Sequence, residues 1–143
     1  TAGCEMKELD NLVKINQLKM EAADAREFAG MLLAAETKLN DAQLIGLSED
    51  SQFSLAYGAA HALALAALRW HGYRSDKRYL VFQCLQHTLG LEQAKWRVLD
   101  KCHHVRNLAE YEGHLEFEPQ LLKELVSISK EILTKVKALA PIK

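Results

Sequence analysis

The chain has 143 residues, 49% of them hydrophobic and 26% charged, with a formal net charge of −1. A chain of this size buries one core, and its near-neutral balance supplies no general pull toward nucleic acid or an anionic membrane, which leaves local patches as the only electrostatic handles. The longest apolar run, Ala59 to Leu68, is broken by His61, ends at Arg69 and falls short of the roughly 18 residues that span a bilayer.

The first segment, from about Glu5 to Ile45, is rich in Ala, Leu, Lys, Glu and Met, which favour helix, with a candidate break near Asn16. Phe28, Leu32, Ala35 and Leu39 form an apolar stripe along it. Ser48 suits the cap of a second helix, and Glu49 and Asp50 suit its positive end. That helix runs to about His71, is apolar around most of its girth and is expected at the centre of the fold. Gly72 closes it, and Tyr73-Arg74-Ser75-Asp76 reads as a loop. A third helix is expected over Lys77 to Leu89 and a fourth over Leu91 to Glu112, each ended by a glycine. A fifth starts near Pro119, a favoured first-turn residue, and ends before Pro141. The expectation is an all-α protein: one domain over residues 1–143, an up-and-down bundle of four to five helices.

Cys4, Cys84 and Cys102 are odd in number and widely spaced, with no CxxC, which argues against a disulfide framework or a structural zinc. Thr1 to Lys7 lacks the basic and apolar regions of a signal peptide, so the expected location is cytoplasmic. No facing Glu-x-x-His pairs occur, and His103 and His104 diverge by about 100° on a helix, so no metal and no cofactor are expected. Phosphate loops and serine nucleophile elbows are missing as well.

The fourth helix is dense in ionisable groups. Cys102, Arg106 and Tyr111 are expected toward one side of it, with His103 and Asn107 adjacent. Arginine offers a bidentate fork for phosphate, and its neighbours add hydrogen bonds; the plain alternative is a solvated helix face with a core tyrosine. Arg97 with His103 or His104 forms a second-ranked pair. A basic run around the turn after the second helix, Arg69, Arg74, Lys77 and Arg78, is a candidate anion surface, or simply cations gathered at a helix end.

Arg106-Asn107-Leu108-Ala109-Glu110-Tyr111 resembles the HEPN superfamily, whose members often carry an Arg, a polar residue, and a His four to six residues after the Arg. Tyr57-Gly58-Ala59-Ala60-His61-Ala62-Leu63 is similar to that family's small-residue, Tyr-containing helix, and Gly72-Tyr73-Arg74 to its glycine-ended turn. The resemblance covers roughly Met20 to Leu139. It implies a helical bundle that forms a homodimer or higher homo-oligomer and binds nucleotide, RNA or a partner nucleotidyltransferase, as in toxin–antitoxin pairs. Tyr57, His61, Arg69, Arg74, Arg97 and His104 are the binding candidates, and Arg106, Asn107, Tyr111 and His103 the catalytic ones. Tyr111 stands where the family's ribonucleases place histidine, and a tyrosine of pKa near ~10 is a poor base at neutral pH. A binding module is therefore the favoured expectation. A ribonuclease toxin using Arg106 is the alternative, and an assembly protein whose last helix forms an oligomer seam is the third reading.

Overall fold

The computed structural model describes residues 2–142, and the side chains of residues 7–142. The protein is all-α, a helical bundle with seven helical segments among the described residues. α1 spans Ala2–Lys14, α2 Ala25–Asp41 and α3 Glu49–Trp70; α4 is Arg78–Gln83, α5 Leu85–Thr88, α6 Gln93–Glu112 and α7 Pro119–Lys137. No helix among them is long and apolar enough to cross a membrane. The side chain of Cys4 lies outside the described set.

α3 is the axis. Phe53, Tyr57, Ala60, Ala64 and Leu68 are buried, and so are Ala59, Leu63 and Ala66 on its other sides. Alanine leaves a thin helix, and α2 and α7 pack closely along it. Ser48 caps α3 by accepting a hydrogen bond from Ser51 N at 3.1 Å. α7 buries Leu122, Leu125, Ile128, Ile132 and Val136 against the same core, each side chain worth about 1.5–3 kcal/mol. Most of its apolar face is thus spent inside the chain, with Val126 and Leu133 only partly buried. α6 stops at Gly113, whose φ of +82° is a left-handed conformation that costs a residue with a Cβ about 1 kcal/mol or more.

The candidate break near Asn16 is observed: the long first segment is two helices, separated at Asn16, which adopts φ +60°. The intervening chain forms a short strand, β1 (Lys19–Met20), paired antiparallel with β2 (Tyr73–Arg74) in the stretch expected as a loop. The cause is Arg69 of α3, only 2% exposed. Its guanidinium donates to the carbonyls of Glu21 at 2.7 Å, Ala22 at 2.8 Å and Tyr73 at 3.3 Å, and to the Glu27 carboxylate at 2.6 Å. Those carbonyls cannot also serve a helix. α2 restarts at Asp24, whose carboxylate accepts from Arg26 N and Glu27 N, both at 2.9 Å. The expected third helix likewise divides, with Cys84 as the joint between α4 and α5.

Candidate functional site

The site forms where α3 meets α6. Tyr57 of α3 is buried, and its hydroxyl oxygen lies 2.9 Å from His103 Nδ1 on α6. One turn on, Asn107 Nδ2 lies 3.1 Å from His103 Nε2. An amide nitrogen only donates, so Nε2 accepts and the proton of the neutral ring sits on Nδ1, donating to Tyr57. His103 therefore spends both ring nitrogens within the protein. Burial, then the nearby His104, Arg78 and Arg106 charges, hold its pKa below the ordinary value against the opposing pull of Asp100.

Two guanidiniums lie at the Tyr57 ring. The central carbon of Arg106 is 5.2 Å from the ring centroid and that of Arg78, at the start of α4, is 5.7 Å away, both within cation–π range. Among the described residues neither arginine forms an ion pair. His61 stands one turn along α3 from Tyr57, its ring edge-on to Phe82 at 6.0 Å. Burial first, then the positive charges of Arg78, Arg106, His103 and Lys38, push its pKa down to about 4. Lys38 reaches in from α2 across Gly58: a Cβ built there would meet its Cδ at 3.6 Å and its Nζ at 3.7 Å. Three cations thus act on the neutral His61 and two of them on His103 as well, an arrangement that favours an anion.

The depressed His61 has a consequence for stability. Its folded pKa of about 4 is below the ordinary 6.5, so the folded state resists protonation. The stability it contributes is complete above pH 6.5 and is lost as pH falls toward 4, by up to about 3 kcal/mol. Chemical unfolding at pH 7 and pH 4.5 is expected to show that decline, and His61→Gln, which cannot titrate, is expected to flatten it. An equal pH dependence in the variant would assign the decline to other groups.

Of the residues expected to act, Arg106, Asn107, His103, Tyr57 and His61 come together. Tyr111 does not join them: it is 89% exposed and its hydroxyl forms no hydrogen bond among the described residues. Five residues at 100° each carry it about 140° around the helix from Arg106, too far to share a face. Nor is it a core tyrosine. Arg97, nine positions before Arg106, projects from about the opposite side and is exposed. His104 is exposed too, with Nε2 3.7 Å from Asp100. Arg69 is buried and committed to the backbone, and Arg74 is held by Glu21 at 2.7 Å and Glu27 at 2.6 Å. Neither is free for a ligand. Arg78 was expected only as part of the basic run, and Lys38 was not expected at all; the small residue Gly58, which lets Lys38 lie across α3, is the one trace of it in the sequence.

Cys84 and Cys102 are buried free thiols pushed up to about 12 by desolvation, the opposite of a reactive cysteine. Among the described residues Glu112, His114 and Glu116 bring possible ligand atoms within 4.8 Å of one another, but all three are exposed and no cage surrounds them. Compared with protein-family models, curated proteins and solved structures, the chain matches none.

Proposed function

We propose that the chain is a HEPN-like binding module for a phosphate-bearing ligand, nucleotide or RNA, which it holds without cleaving. The observation that carries this reading is the pair of guanidiniums at Tyr57, Arg78 and Arg106, with no carboxylate to satisfy either. A phosphate between them takes up the forks that no protein group uses. Absence of catalysis is supported by His103, whose nitrogens are both engaged, and by Tyr111, which points away from Arg106. In this reading a second copy of the chain or a nucleotidyltransferase partner packs on α6 where Leu108 and Tyr111 are exposed.

A second reading, an active ribonuclease, is favoured by one observation. His61 is neutral, has no hydrogen-bond partner among the described residues, and feels the charges of Arg78 and Arg106. A single assay separates the two. A short single-stranded RNA is titrated with the protein over a range of salt, and its integrity is followed in the same samples. The module binds with an affinity that falls log-linearly with salt, about 0.7 for each phosphate neutralised, and leaves the RNA intact. Cleavage that stops in His61→Ala establishes the ribonuclease. No binding at any salt removes both.

A further inference from the structure

The Tyr57 site does not end at Arg78. A cleft of about 360 Å³ opens beside it, bordered by His61 and Leu65 of α3, by Lys19 of β1, and by Asp76, Lys77 and Arg78 leading into α4. We propose that this cleft is a second phosphate subsite continuous with the first, so that the ligand carries two phosphates in series. The proposal rests on the reading of the Tyr57 site as a phosphate site and extends it.

Charge is the first argument. Arg74 also lines the cleft, but Glu21 and Glu27 neutralise it. Lys77 donates to the Gln17 side chain at 3.0 Å, a neutral amide that leaves the ammonium charge uncompensated and two donors unspent. Lys19 is exposed, and neither it nor Arg78 has an ion-pair partner among the described residues. Three uncompensated cations thus face one carboxylate, Asp76, across a small concave space.

Continuity is the second argument. Arg78 lies at the Tyr57 ring and also lines the cleft, and His61, one turn along α3 from Tyr57, lines the cleft too. A planar fork can hold oxygens of two neighbouring phosphates at once, one on each side. The third argument is size. The cleft is at the lower end of the roughly 300–1,000 Å³ that small-molecule sites occupy, which suits one phosphate with part of a sugar and not a protein element. Leu65 supplies an apolar wall for the sugar carbons. Phosphates in series occur in a nucleoside diphosphate, as a pyrophosphate, and along a nucleic-acid strand, as successive phosphodiesters; the chemistry that recognises them here is the same.

The test compares three probes on the full chain by equilibrium titration: AMP, ADP, and an adenosine dinucleotide phosphorylated at its 5′ end. At least one of the two tandem-phosphate probes is expected to bind about tenfold or more tightly than AMP, and which of them does so identifies the source. Lys19→Ala/Lys77→Ala is expected to remove that advantage while leaving AMP affinity unchanged, which also shows that the variant is folded. AMP binding without a gain for either probe, or a gain that survives the double variant, overturns the second subsite and leaves the first standing. Failure of all three to bind overturns both.

Discussion

Arg69→Ala is expected to destabilise the fold by about 3–5 kcal/mol. The side chain is 2% exposed and donates to three carbonyls and one carboxylate. Removing it leaves the carbonyl oxygens of Glu21, Ala22 and Tyr73 facing a void, and each unpaired buried acceptor costs about 1–3 kcal/mol where water cannot replace the donor. It also releases Glu27, whose carboxyl is held below its ordinary range chiefly by the Arg69 hydrogen bond, with Arg74 adding to it. Arg69→Met restores much of the volume and none of the donors, so it separates packing from hydrogen bonding and is expected to recover less than half of the loss. Urea unfolding followed by far-ultraviolet circular dichroism reads all of this. A loss below about 1 kcal/mol for Arg69→Ala would mean that water enters and that β1 is not held by this side chain.

That residue also explains what the sequence could and could not reveal about the fold. Helix ends written in local chemistry were legible. Ser48 caps α3, Pro119 opens α7, and Gly46, Gly72, Gly90 and Gly113 all take positive φ in the turns after helices. The strand over Lys19–Met20 was not legible, because Glu21, Ala22 and Ala23 are neutral or favourable for helix and nothing beside them forbids it. The carbonyls of Glu21 and Ala22 are claimed by an arginine nearly fifty positions later, and tertiary demand overrides local preference. The candidate site divides along the same line. His103, Arg106 and Asn107 lie on one stretch of helix and were found by spacing. Tyr111 was misplaced because a spacing of five residues overshoots the same face. Arg78 and Lys38 come from other helices, and no local pattern ties them to Tyr57.

Arg106→Ala is expected to weaken phosphate binding about 10- to 100-fold, the equivalent of losing one charge-assisted hydrogen bond at about 1.5–3 kcal/mol. A second readout needs no ligand. The Arg106 charge is one of the causes that hold His61 near pH 4, so removing it relieves the repulsion on the protonated ring and raises the titration midpoint. Burial is the largest cause and persists in the variant, so the midpoint should climb only part of the way toward 6.5. The proton resonance of the His61 imidazole, followed from pH 3.5 to 8, measures it. Arg106→Lys divides the two effects: it retains the charge, so His61 should still titrate near 4, but it lacks the fork, so binding should still fall. Loss of binding in both variants with a raised midpoint in Ala alone means that Arg106 acts on the ligand through its geometry and on His61 through its charge. A midpoint unmoved in Arg106→Ala would place the guanidinium outside the cluster in solution, and the Tyr57 site would lose one of the two forks on which the proposed phosphate recognition depends.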